Sequence, residues 1–121
     1  MMTAPERNSP RARIASGARC VLIGIVAWAT PALAANLSVF QKNLTFSTAS
    51  LTLQPGDRMT IHNADNVTHN ITVRGAGEDA NSDDLGLQKP GGDVSYVFQA
   101  RGIYTVVCSI HPRMRMVVTV K

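Results

Sequence analysis

The sequence predicts a small all-β domain, an antiparallel sandwich or barrel of short strands, behind a removable N-terminal export segment. Three observations carry this. Apolar residues alternate with period two from Leu37 onward, turn residues interrupt them at short intervals, and the first 34 residues read basic, then apolar, then small. A chain of 121 residues holds one domain of this kind. With 45% hydrophobic and 17% charged residues, 9 Gly and 6 Pro, it is none of the collagen-like, low-complexity or acidic disordered classes. Two cysteines exclude a disulfide framework.

Residues 1–34 begin with Arg7, Arg11, Arg13 and Arg19 against Glu6 alone. An apolar run from Cys20 to Ala29 follows, then Pro31 and the small-x-small pattern Ala32-Leu33-Ala34. This is the layout of a secretory signal peptide, with cleavage expected after Ala34. The run is too short for a stable membrane anchor. Cys20 follows Arg19, unlike a lipoprotein box, and no arginine pair marks a twin-arginine route. The expected product, residues 35–121, carries eight basic and seven acidic groups. The formal charge of +4 on the whole chain therefore belongs mostly to the leader, and nucleic-acid binding loses its main support. The product keeps a single cysteine, Cys108, which in an oxidising compartment must be buried, reactive or bound to metal.

Within the product, Leu51 and Leu53 share one face of a strand, as do Met59 with Ile61 and Ile71 with Val73. Val94, Tyr96 and Phe98 form another such face, then Tyr104, Val106 and Cys108, then Met116, Val118 and Val120. Turns are expected at Gln54-Pro55-Gly56-Asp57, Asn63-Ala64-Asp65-Asn66, Lys89-Pro90-Gly91-Gly92 and Gly102. There is no internal repeat. Arg74 to Asp93 breaks the spacing, and a solvated connection with a short helical turn near Ala80–Leu85 is expected there. Glu78, Asp79, Asp83 and Asp84 lie in it without EF-hand spacing.

The chemistry concentrates in Cys108-Ser-Ile-His111-Pro-Arg-Met114-Arg-Met116, directly after a predicted strand. A second imidazole, His69, lies upstream in Asp65-Asn-Val-Thr-His69-Asn70. Two His, one Cys and one Met are the ligand types of a type I copper site, a His₂Cys plane with a long axial Met. Thiolate and thioether favour Cu(I) and imidazole suits Cu(II), so one set serves both valences. His62, one step beyond Ile61 on the opposite face, is expected to be exposed and free of metal.

Leu53-Gln-Pro-Gly56-Asp57, Asn63…His69-Asn70 and the Cys108-x-x-His111 loop together resemble the cupredoxins, and within them the amicyanin and plastocyanin group, over nearly all of residues 35–121. The resemblance implies a Greek-key β-sandwich holding one copper by His69, Cys108, His111 and a methionine. Met114 gives the short, amicyanin-like spacing and Met116 the plastocyanin-like one. Pro112 after His111, and seven residues left for the last strand, favour Met114. Met116 is then expected one step deeper. Asn70 is expected to offer its N–H to the Cys108 sulfur, and Ile110, which unlike proline keeps an N–H, to offer a second.

The same resemblance implies a periplasmic, monomeric one-electron carrier, not an enzyme. It would shuttle between a donor and an acceptor such as a dehydrogenase, cytochrome or oxidase, with no nucleic acid and no membrane insertion after cleavage. His111 would be the solvent-edge ligand. Pro112, Arg113 and Arg115 would form a docking patch, with Arg113 where amicyanin carries an aromatic residue. A copper-trafficking protein is the alternative use of the same ligands.

Overall fold

The computed structural model describes residues 17–18, 20–76 and 81–121. Arg7, Arg11, Arg13, Arg19, Glu78, Asp79 and Ala80 lie outside the described residues. The described part of residues 17–35 carries neither helix nor strand. Among the described residues no helix is long and apolar enough to cross a membrane.

Residues 31–121 form one compact unit. Its strands are β1 Asn36–Lys42, β2 Thr45–Phe46, β3 Ser50–Leu53, β4 Arg58–Asn63 and β5 His69–Gly75. Then follow β6 Ser82–Gln88, β7 Asp93–Val97, β8 Gly102–Val107 and β9 Arg115–Val120. They make two sheets, β2-β1-β4-β7 and β3-β9-β8-β5-β6. Of the faces read from alternation, Leu53, Met59, Ile61, Ile71, Val73, Phe98, Val106, Cys108, Met116, Val118 and Val120 share one core, which Val39 of β1 joins.

Two features differ from the sequence expectation. The β1–β4 and β3–β9 pairings are parallel, Asn36 against Arg58 and Ser50 against Val117. Alternation reports which face of a strand is buried and carries nothing about its neighbour's direction. Second, the stretch expected to hold a helical turn near Ala80–Leu85 is strand β6, paired with β5. Most of β6 lies exposed at a sheet edge, so no apolar alternation marked it. Its acids are used by the fold itself. Asp83 accepts the Tyr96 hydroxyl, and Asp84 accepts the Asn70 side-chain amide and the Gly86 N–H.

Turn chemistry closes the strands. In Gln54-Pro55-Gly56-Asp57 the Asp57 N–H donates to the Gln54 carbonyl at 3.1 Å, with Gly56 at φ 94°. In Lys89-Pro90-Gly91-Gly92 the Gly92 N–H donates to Lys89 at 2.9 Å, with Gly91 at φ 78°. Proline then a left-handed glycine is the type II signature. The β1–β2 hairpin is tighter. Asn43 and Leu44 both have positive φ, 54° and 58°, as a two-residue type I′ turn requires. For Leu44 that conformation is strained by about 1–2 kcal/mol.

Two carboxylates tie loops to strands. Asp57 accepts the N–H groups of Gln54 and Ala35, each at 2.8 Å. These bonds hold its carboxyl below the usual range against the opposing effect of burial. The Gly86 N–H and the Asn70 amide do the same for Asp84. A carboxyl held low in the folded state stabilises it fully above the unfolded value, about pH 3.9, and loses that effect as pH falls through the folded value. The urea midpoint is therefore expected to stay flat from pH 7 to about pH 5 and to fall below about pH 4. Asp57→Asn and Asp84→Asn should each flatten that fall. An acid limb unchanged in both variants would contradict the assignment.

Candidate metal centre

Three strand ends converge at one end of the sandwich. His69 opens β5, Cys108 directly follows β8, and Met114 directly precedes β9. The Cys108–Met114 loop closes on itself, with the Met114 N–H on the His111 carbonyl at 2.9 Å and the Cys108 N–H on the Met114 carbonyl at 3.3 Å. Because β8 lies between β9 and β5, the loop emerges beside His69. The stretch leading to His69 is shaped by Asn63, which is fully buried. Its amide donates to the Val67 and Gln88 carbonyls and its Oδ1 accepts the Asp65 N–H.

Three donor atoms face one another there. His69 Nδ1 lies 3.8 Å from the Cys108 sulfur, His111 Nδ1 lies 3.7 Å from it, and the two nitrogens are 3.1 Å apart. The point equidistant from all three is about 2.1 Å from each, which matches the length of about 2.0–2.1 Å typical of a metal–imidazole bond. His69 Nε2 is 2.9 Å from the Asp65 carboxylate. That bond assigns the proton to Nε2 and leaves the Nδ1 lone pair directed at the sulfur and at His111. A soft thiolate and imidazole lone pairs gathered at bonding distance around one point fit a copper ion. His69, Cys108 and Met114 are fully buried, while His111 is part-exposed.

Asp65 was not singled out from the sequence, where it read only as a turn residue. It accepts the N–H groups of Asn43 at 2.6 Å and Leu44 at 3.1 Å as well as His69. One carboxylate thus clamps the strained β1–β2 hairpin and orients a donor imidazole. Burial alone would raise its carboxyl, but the Leu44 N–H, the His69 side chain and the Asn43 N–H outweigh that and hold it low. The one sequence signal was its position four residues before His69 in a turn-forming loop.

Asn70 joins three segments. Its backbone N–H donates to the Cys108 sulfur at 3.3 Å. Its side chain donates to Asp84 at 2.8 Å and to the Gly86 carbonyl at 3.2 Å, and accepts from Thr72 at 3.0 Å and the Ser109 N–H at 3.3 Å. The expected bond from the Ile110 N–H to the sulfur does not form: among the described residues Asn70 supplies the backbone donor to it. The loop bends at Ser109 and Ile110, and the Ile110 side chain is 47% exposed. Met116 sits opposite Val106 in the β8–β9 ladder, fully buried, two residues into the strand from Met114. His62 is apart from the donor cluster, its Nδ1 2.7 Å from Asp93 on the outer sheet face.

At the surface, His111 lines a shallow depression with Leu44, Ile110, Pro112, Arg113 and Met114. Arg115 lies instead in a neighbouring cleft with Arg74, Ser109 and Cys108, and Pro112 borders both. Arg113 and Arg115 thus line two depressions that meet at Pro112.

A two-sheet sandwich whose end gathers two imidazoles and a thiolate around one point defines a small copper protein, a cupredoxin. Comparison with family models agrees, matching residues 33–121 to the copper-binding proteins of the plastocyanin/azurin family. The chain belongs to that family, and copper is its cofactor. Solved structures similar to it include amicyanin from Paracoccus versutus (Thiobacillus versutus). That structure is 26% identical, with 76% of this chain and 85% of that one covered and a TM-score of 0.61. A Cu(I) structure of an amicyanin variant is 23% identical over 71% of this chain and 82% of that one, with a TM-score of 0.64. A search of curated proteins gave no match.

Proposed function

We propose that this chain is an exported, periplasmic one-electron carrier that acts as a monomer, without enzymatic turnover, between a protein donor and a protein acceptor. The leader, residues 1–34, is removed after Ala34. His69, Cys108, His111 and Met114 would hold the copper, with Met116 two residues further into the strand. The observation that carries this reading is the set of three donor atoms, 3.1 to 3.8 Å apart, built into a closed loop and a strand.

When bound, copper supplies reversible exchange between Cu(II) and Cu(I). The protein's part is to hold the donors still. The Asp65 carboxylate fixes the His69 ring, Asn70 places an N–H on the sulfur, and two backbone bonds lock the Cys108–Met114 loop. Donors that do not move between valences keep the reorganisation small. All four proposed positions are protein groups, which leaves none for a substrate, unlike a catalytic metal site. Among the described residues the only other imidazole, His62, is tied to Asp93. His111 is the part-exposed donor, so the electron path to a partner runs through its ring edge and the apolar rim of Leu44 and Ile110.

Arg113, which shares the depression of His111, and Arg115, in the adjoining cleft, favour a partner with acidic rim residues. With ferricyanide as an anionic oxidant, the oxidation rate of the reduced protein is expected to fall several-fold as ionic strength rises from about 10 mM to about 0.5 M, where the Debye length shrinks from about 30 to a few Å. Arg113→Glu should reduce or reverse that slope. A rate indifferent to salt in both proteins contradicts the surface assignment. Copper that leaves the protein during repeated reduction and oxidation contradicts the carrier reading.

A further inference from the structure

We propose that Asp57 is a receptor for the α-amino group that export processing creates at Ala35, so that removal of the leader turns a neutral hydrogen bond into an ion pair anchoring β1. This rests on the cleavage position proposed above and adds what the fold does with the new terminus. Among the described residues Ala35 is the first that hydrogen-bonds to the sandwich. Its N–H donates to Asp57 Oδ1 at 2.8 Å, and its carbonyl accepts the Arg58 N–H at 2.9 Å. The parallel β1–β4 pairing, Asn36 against Arg58, starts directly after it. Asp57 is only 7% exposed, and its other oxygen is taken by the Gln54 N–H. On the other side of the scissile bond Leu33 is 94% exposed, and Ala34 and Ala35 are exposed as well.

The chemistry of cleavage changes this contact. A signal peptidase adds water across the Ala34–Ala35 peptide bond. The C–N bond breaks, the water oxygen joins the Ala34 carbonyl carbon as a carboxylate, and the Ala35 nitrogen gains protons to become an ammonium. In the uncut chain the two groups that donate to the largely buried Asp57 carboxylate are neutral backbone N–H groups. After the cut it faces a cation already at hydrogen-bond distance. Charge-assisted bonds are roughly twice as strong as neutral ones, and a buried carboxylate gains most from a partner of opposite charge. The mature protein is thereby held more tightly than its precursor. The effect is confined to one end of the sandwich, because the seven residues of β1 span about 23 Å before the hairpin at Asn43–Leu44 beside the copper donors.

The test uses the full chain expressed with its leader and the exported product recovered. Its mass is expected to correspond to a chain beginning at Ala35. The α-amine, titrated by NMR, is expected to ionise well above its ordinary value of about 7.7–8.0. The cationic groups at this end are Arg58, next in the chain, and Lys121, which lines the same groove as Ala35 and Asp57. Both would lower the amine, so a raised value reports Asp57. In Asp57→Asn the amine should return to its ordinary range. A Gly-Ser insertion between Ala34 and Ala35, which moves the new amine away from Asp57, should lower Tm by about 4–8 °C in the Asp57 protein. The same insertion should do little in the Asp57→Asn background. A product beginning elsewhere overturns the processing position and the proposal with it. An ordinary amine value on a product that does begin at Ala35, or an insertion effect equal in both backgrounds, overturns the ion pair alone. The wild-type titration needs no variant, so a poorly folding Asp57→Asn chain leaves the test intact.

Discussion

Phe98→Ala is expected to destabilise the domain by about 3–5 kcal/mol, the cost of emptying a buried aromatic site. Phe98 is 1% exposed and sits directly after β7. Its ring lies edge-on to Tyr96, centroids 4.8 Å apart, and to Tyr104 at 5.1 Å. Tyr96 comes from one sheet and Tyr104 from the other, so the ring bridges the two layers. Each such pair adds about 0.5–1.5 kcal/mol beyond area burial. The neighbouring backbone cannot easily collapse into the space, because the Phe98 N–H and carbonyl are held by Asp57 and Gly56 at 3.0 and 2.7 Å. For a domain of this size each kcal/mol moves Tm by about 4–8 °C. Urea unfolding of the two proteins reads the loss directly. Phe98→Leu, which refills part of the volume, should recover a substantial part of it, and the copper spectrum should be the same in all three. A loss below about 1 kcal/mol would show that Phe98 is not the inter-sheet keystone described here.

Asp65→Ala is expected to lower copper affinity by about 10–100-fold, the range seen when the partner of a metal-ligating histidine is removed. The substitution leaves the buried Nε2–H of His69 without an acceptor, at a cost of about 1–3 kcal/mol. It also frees the His69 ring to rotate its Nδ1 lone pair off the site, and releases the N–H groups that hold Asn43 and Leu44 in left-handed conformations. Two controls separate these effects. Asp65→Asn keeps an oxygen acceptor and should retain most of the affinity. Leu44→Gly relieves the hairpin strain without touching His69 and should leave affinity nearly unchanged. Equal affinity in wild type and Asp65→Ala, read by competition with a Cu(I) chelator, would remove Asp65 from the account.

Much of this architecture was legible because its signals are local. Alternation marks which side of β4 and β9 is buried, and Pro-Gly pairs mark the two type II turns. The Cys108-x-x-His111 spacing is local too, and its loop is closed by the last strand pair. What escaped was relational. The parallel neighbours of β1 and β3 depend on how the sheets assemble. Strand β6 is made by pairing with β5, and its exposed polar sequence resembles a loop. Asp65 acquires its role only when the β1–β2 hairpin, whose Asn43 and Leu44 lie 22 and 21 residues earlier in the chain, comes alongside. Ile110 shows the converse limit. Its N–H is available in the sequence, but the path of the loop, not residue type, decides whether an amide meets the sulfur.

His69, Cys108 and His111 are expected to close around one copper ion together with a methionine. The decisive measurement is titration of the copper-free protein with Cu(II), followed by visible absorption and electron paramagnetic resonance. One ion per chain is expected, with intense thiolate-to-copper absorption and a narrow hyperfine splitting, loss of both in Cys108→Ser, and a spectrum altered by Met114→Ala but not by Met116→Ala. A pale adduct of ordinary Cu(II) character, or a strong colour that survives Cys108→Ser, would contradict it.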